Sequence, residues 1–221
     1  MNYIIDHIPK DTKSRRPGYA LKAEYITIHS TGNPKSTAIN ERGWLTNPSN
    51  ADQHTGWHIC VDDKEAIEAI PLNEVAWHAG DGANGPGNRK SIGIEICESG
   101  DRQKTLANAA NLVAKMLNER GWGVDRLRRH FDWSGKICPR IMQQNNWAGW
   151  EQFKKDVAKE LAGGASTVTQ DKNQPSSWAK EPWEWGKKNG VTDGTNPQGP
   201  VTREQAITMI YRALKAVGVM K

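Results

Sequence analysis

Ser91-Ile92-Gly93-Ile94-Glu95-Ile96-Cys97 alternates without a break, with three isoleucines on one face and Ser91, Gly93, Glu95 and Cys97 on the other. A period of two with β-branched residues reads as a strand whose isoleucine face enters a core. The opposite face carries a carboxylate in mid-strand, and burying it is costly unless something pairs with it. A structural ion pair and a chemical role both meet that demand, and the strand alone does not choose between them. Gly93, having no side chain, leaves space beside Glu95 on the same face.

The same periodicity extends outward. Tyr25-Ile26-Thr27-Ile28-His29-Ser30 reads as a strand with Ile26 and Ile28 on one face and Thr27 and His29 on the other. In Trp57-His58-Ile59-Cys60-Val61, alternation puts Trp57, Ile59 and Val61 together, with His58 and Cys60 opposite. Asp62-Asp63 turns the chain into a returning strand from Glu65 to Ile70. The first twenty residues hold Pro9, Pro17 and Gly18 among polar groups, which predicts an extended arm wrapping the domain. A short helix is predicted from about Thr37 to Leu45. A longer one runs from Gln103 to Arg120, with Leu106, Ala109, Ala110, Val113, Met116 and Leu117 at helical spacing and Gly121 as its stop. Trp150, Phe153, Val157 and Leu161 mark a final helix of this domain. Residues 163–176 have the polar, turn-rich composition of a linker. Residues 177–221 predict a small helical module, one helix near Trp178–Gly190 and a second behind a Thr202/Gln205 capping box. Ala206, Ile207, Ile210, Leu214 and Val217 form its apolar stripe.

A hydrophobic content of 36% with 25% charged residues describes a soluble globular chain. The net charge of +5 favours an anionic partner without choosing among cell-wall polymer, nucleic acid and membrane surface. Met1–Lys22 offers no apolar run of signal-peptide length and no stretch approaches a membrane span, so synthesis in the cytosol is expected. Cys60, Cys97 and Cys138 are too few and too odd for a disulfide scaffold and read as free or metal-bound thiols. The 10 tryptophans suit carbohydrate surfaces as well as core anchors. The Gly-rich run Trp77–Gly87 lacks the Lys-Ser/Thr ending of a phosphate-binding loop and reads as the rim of a substrate cleft.

Arg128-Arg129-His130-Phe131-Asp132-Trp133-Ser134-Gly135-Lys136-Ile137-Cys138-Pro139-Arg140 gathers an imidazole, an ammonium and a thiol in a segment that its Gly and Pro mark as a loop. Imidazole and thiolate suit Zn²⁺, and no second Cys or His sits at zinc-finger spacing, so a third ligand must come from a distant strand. By itself the pair fits equally a buried thiol and a hydrogen-bonded histidine. His29 and Glu95 both point away from the isoleucine faces, and the loop from His130 to Cys138 can close over that surface. A catalytic zinc needs three protein ligands and an open position, a proton-handling group, and a donor for a developing oxyanion. His29, His130 and Cys138 supply the first, and Glu95 and Lys136 the other two.

With His29-Ser30-Thr31, Ala76-Trp77-His78-Ala79-Gly80, Ser91-Ile92-Gly93-Ile94-Glu95 and His130-x7-Cys138 in place, the chain from about Ile4 to Leu161 resembles the zinc-dependent N-acetylmuramoyl-L-alanine amidases of the amidase-2 type. That group includes many phage endolysins and is similar to the peptidoglycan recognition proteins. The resemblance implies an α/β fold, a mixed central β-sheet flanked by helices, over residues 1–162. It also implies Zn²⁺ held by His29, His130 and Cys138, catalysis by Glu95 and Lys136, and substrate contacts from Trp77 and His78 on the cleft wall. The implied reaction is hydrolysis of the amide between N-acetylmuramic acid and the L-alanine of the stem peptide in bacterial peptidoglycan. His58 is expected to support the sheet.

Residues 177–221 resemble one S-layer homology repeat, through Trp178-Ala179-Lys180, Asn189-Gly190-Val191, Asp193-Gly194 and Val201-Thr202-Arg203-Glu204-Gln205-Ala206. Such repeats bind secondary cell-wall polysaccharide. The combination implies a phage endolysin made in the host cytoplasm and acting on the wall after release, with no membrane or nucleic-acid partner. A non-catalytic peptidoglycan-binding protein, a cytosolic muropeptide-recycling amidase and an inhibitor of a nucleic-acid enzyme are the rival readings.

Overall fold

Six strands form one sheet: β1 (Asn2–Ile5), β2 (Tyr25–Ser30), β3 (Ile59–Val61), β4 (Glu65–Glu68), β5 (Ser91–Ile96) and β6 (Leu127–Arg129), in the order β1-β4-β3-β5-β2-β6. The computed structural model describes residues 1–167, 180–195 and 201–219, and the chain divides into two units, Met1–Gly164 and Ala165–Lys221. Every neighbouring pair in the sheet is parallel except the β3–β4 hairpin, so the sheet is mixed. Five helices accompany it in chain order: α1 (Ala38–Trp44), α2 (Pro86–Lys90), α3 (Arg102–Arg120), α4 (Phe131–Ser134) and α5 (Gln144–Thr167).

The isoleucine face does what its pattern requires. Ile26, Ile28, Ile92, Ile94 and Ile96 are fully buried and share one core with Ala109, Val113 and Leu117 of α3 and Trp150, Phe153 and Val157 of α5. Each such side chain removed from water stabilises the fold by roughly 1.5–3 kcal/mol. The α3 helix starts where Asp101 accepts from the Lys104 N–H and stops at Gly121, whose φ of 65° ends the helix in the left-handed region. On the other sheet face a smaller cluster joins Cys60, Ile67 and Cys97 to Ala38 and Leu45 around α1. One face is thus a thick hydrophobic layer, and the other is only partly covered.

Four expectations are corrected. The amino-terminal arm is part of the sheet: β1 pairs parallel with β4, Asn2 opposite Glu65 through Ile5 opposite Glu68. Farther along it, Arg16 forks onto Glu74 with two contacts of 2.7 Å and also donates to the Ile8 carbonyl. Trp57 does not share a face with Ile59 and Val61, because the strand begins only at Ile59; Trp57 stacks on Trp44, centroids 5.6 Å apart, within the cluster that holds Cys60. The Gly-rich run does line the cleft, through Trp77, Gly80, Gly82 and Ala83, but it is not loop to its end, because Pro86 begins α2. The His130 to Cys138 segment is not all loop, since His130 joins β6 directly to α4.

The α5 helix continues to Thr167, into the stretch read as a linker; residues 168–176 and Trp178 lie outside the described residues. In the second unit, α6 (Lys180–Lys188) has Pro182 in its first turn, where a missing N–H costs nothing. The helix α7 (Arg203–Ala216) carries the capping box: Gln205 N–H donates to Thr202 Oγ1 at 3.2 Å, and Thr202 N–H donates to Gln205 Oε1 at 2.8 Å. Ile207 and Ile210 of its apolar stripe are exposed.

Candidate metal centre and its cleft

Register puts the first two site residues together. His29, near the end of β2, lies directly across from Glu95 of β5, and both leave the sheet on the face away from the isoleucines. His130 follows β6, which pairs with β2, and its N–H donates to the Ile28 carbonyl. Asp132 fixes the turn there, accepting from the Arg129 N–H at 2.7 Å and from the Arg129 guanidinium at 2.6 and 3.0 Å. Trp133 of α4 donates to Thr27 Oγ1, which contacts Ser91 Oγ, and Ser91 donates to the Gly87 carbonyl. Cys138 is held from both sides: its carbonyl accepts from Phe131 N–H, and Arg140 N–H donates to Ser30 Oγ. Arg140 also forks onto Glu98, which accepts the Gly32 N–H at the end of β2. The strand bearing His29 and the loop bearing Cys138 are therefore clamped to one another.

The result is a buried cluster of His29, His130 and Cys138 whose ligand atoms all lie within 4.8 Å of one another. His29 Nδ1 is 3.0 Å from His130 Nδ1 and 3.8 Å from Cys138 Sγ. Tetrahedral zinc with bonds of about 2.0–2.3 Å has ligand edges of about this length, and two imidazoles with a thiolate are a catalytic donor set. Burial pushes the Cys138 thiol up to about 12, with the Glu95 charge acting the same way. A thiolate here at neutral pH therefore needs a cation beside it, which a divalent ion supplies. Burial also lowers His130 to about 4 and His29 well below the ordinary histidine range, keeping both rings neutral and able to ligate. On these grounds the residues fit Zn²⁺.

Glu95 Oε1 stands 4.0 Å from His29 Nδ1, and among the described residues the buried Oε2 has no hydrogen-bond partner. Burial first, and then the charge of Glu41, raise the Glu95 carboxyl to about 8. Lys136 is exposed on the cleft lining, close enough for its positive charge to act on Glu95, His29 and His130. Trp77 lines the same cleft and meets Tyr19 edge-on at 6.2 Å. The cleft has a volume of about 1050 Å³, and Trp44, Trp57 and Arg140 also line it.

His78 is the site residue whose surroundings differ most from a substrate contact. Its ring is buried, with Nδ1 3.0 Å from His29 Nε2 and Nε2 3.1 Å from the Ser91 carbonyl, which leaves neither nitrogen for a ligand. The space that Gly93 frees is filled by this ring, since a Cβ at Gly93 would fall 2.6 Å from His78 Cγ. His58 supports the sheet: Nδ1 accepts the Gly93 N–H at 2.9 Å and Nε2 donates to the Glu74 carbonyl at 2.8 Å. Sequence reasoning missed Glu41, Glu98 and Arg140. Glu41 and Glu98 are buried acids, and nothing in their local pattern marks them as such.

A family model described as N-acetylmuramoyl-L-alanine amidase matches residues 19–141. The chain is similar to two proteins of Bacillus subtilis (strain 168). N-acetylmuramoyl-L-alanine amidase XlyB is 51% identical over 152 residues, 66% of this chain and 46% of that protein. N-acetylmuramoyl-L-alanine amidase CwlA is 41% identical over 204 residues, 89% of this chain and 72% of that protein. The chain thus spans about half the length of XlyB and about three quarters of CwlA. Among solved structures, the catalytic domain of XlyA is 42% identical with a TM-score of 0.65, covering 71% of this chain and 99% of that one.

Proposed function

Because this chain belongs to the N-acetylmuramoyl-L-alanine amidase family, we propose that it is a peptidoglycan hydrolase that cleaves the amide between the lactyl group of N-acetylmuramic acid and L-alanine of the stem peptide, acting as an endolysin. The observation that carries this reading is the buried His29, His130 and Cys138 cluster in an open cleft, with Glu95 beside it, whose Oε2 has no hydrogen-bond partner among the described residues.

These three residues would hold zinc, which when bound supplies Lewis acidity at the scissile carbonyl and makes a nearby water more acidic. Glu95 takes a proton from the attacking water and returns it to the leaving amine, a task that suits a carboxyl raised toward neutral pH. Lys136 faces the developing oxyanion from the rim of the cleft. Trp77 offers an aromatic wall to the sugar or peptide. Mass spectrometry of digested peptidoglycan tests the reading. New free L-alanine amines are expected, whereas new reducing sugars would assign the protein to glycan cleavage.

The endolysin reading adds that the protein is made in a host cytoplasm and reaches the wall after release. Residues 177–221 act in it as an S-layer-homology-like module for secondary wall polysaccharide, supported by the capped α7 helix and the mild cationic balance of the segment.

A further inference from the structure

The partners of His78 dictate which of its nitrogens carries the proton. Nε2 is 3.1 Å from the Ser91 carbonyl oxygen, which can only accept, so Nε2 is protonated. Among the described residues no carboxylate hydrogen-bonds to this buried ring, so it is neutral and Nδ1 keeps a lone pair. His29 Nε2, 3.0 Å away, must then be the donor. That leaves His29 Nδ1 bare, and Nδ1 is the nitrogen that faces His130 Nδ1 and Cys138 Sγ. His130 Nε2 lies beside Gly80, and its Nδ1 turns toward His29 Nδ1.

We propose that His78 is a positioning residue, a relay from the Ser91 carbonyl that locks His29 as the Nε2–H tautomer and aims the His29 Nδ1 lone pair at the metal site. The inference rests on the zinc reading above. Gly93 is its structural requirement, because any side chain there would displace the His78 ring. Ligand tautomers fixed by an outer hydrogen bond are a general device of metal centres, and losing the outer partner weakens metal binding by about 10- to 100-fold.

Two measurements test this. The first uses the wild-type chain without metal, labelled with ¹⁵N-histidine, and reads tautomers from long-range ¹H–¹⁵N correlations. Protons on Nε2 of both His29 and His78 are expected, and a proton on Nδ1 of either overturns the relay. The second compares zinc dissociation constants, by chelator competition, for wild type, His78→Leu and His78→Asn. The Asn carboxamide oxygen can stand where Nδ1 stood. Leucine is expected to weaken zinc binding by about 10- to 100-fold and asparagine to restore most of the loss. Wild-type affinity in His78→Leu, or an equal loss in both variants, overturns the role. Should His78→Leu fail to fold, the wild-type tautomers still decide. Wild-type protein that binds no zinc would instead defeat the metal assignment itself.

Discussion

At Glu95 the strand register places a carboxylate opposite His29, and one of its buried oxygens has no hydrogen-bond partner among the described residues. A group so placed is costly to the fold, which accords with the catalytic role proposed for it. Glu95→Gln is therefore expected to keep zinc and lose hydrolysis by about 10²- to 10⁴-fold, read from wall turnover and metal content of one sample. His58 makes a separate prediction. Its Nδ1 accepts a hydrogen bond from Gly93 N–H, so protonation there would set two donors against each other, and burial holds its pKa near 4. The unfolded chain takes up this proton near pH 6.5 and the folded chain does not. Stability present above about 6.5 is lost as pH falls toward about 4, by up to about 3 kcal/mol. The urea midpoint of the wild type is expected to fall from pH 7 to pH 5, and that of His58→Gln to fall less; an equal fall in both would remove this assignment. At this scale His29, Glu95, His130 and Cys138 were legible, the first two from face alternation and the last two from their chemistry and spacing. His78 was legible only as a motif residue. It sits in a run without periodicity, and the one trace of its burial was a glycine in another strand.

Among the elements, β5 carries the most. Its isoleucines join the sheet to α3 and α5, while its other face supplies Glu95 and the gap for His78. Ile94→Ala removes a fully buried side chain and is expected to cost about 2–5 kcal/mol in denaturant unfolding, depending on how far the cavity collapses. Besides the β1–β4 pairing, the amino-terminal segment is tied down by ion pairs, among them Arg16, almost wholly buried and forked onto Glu74. Arg16→Ala removes the forked partner of the partly buried Glu74 and should cost about 1.5–3 kcal/mol, measured the same way. Central strands and long helices were legible because they bury one face and expose the other. The β1 strand was not, since it is itself an edge of the sheet and all four of its residues are exposed, so no alternation records it. Trp57 misled for a related reason: it continues the alternation of β3 in sequence, but the strand has not yet begun.

For the molecule as a whole, Met1–Gly164 contains both the main core and every residue assigned to the reaction. A chain ending at residue 162 should keep zinc and amide hydrolysis. If residues 177–221 bind wall polymer, that shorter chain should sediment less with purified cell walls than the full chain, and equal sedimentation would remove the targeting role. The module's helices were legible from capping and stripe, whereas what its exposed isoleucines meet has no local signature. The account as a whole turns on three side chains, far apart in the chain, holding a single divalent ion. Elemental analysis of purified wild type and Cys138→Ser after exhaustive dialysis tests this most directly. About one zinc per chain is expected in the wild type and little in the variant, as a three-ligand site requires. Wild-type protein that carries no metal, takes up none when zinc is supplied and hydrolyses wall material regardless would contradict it.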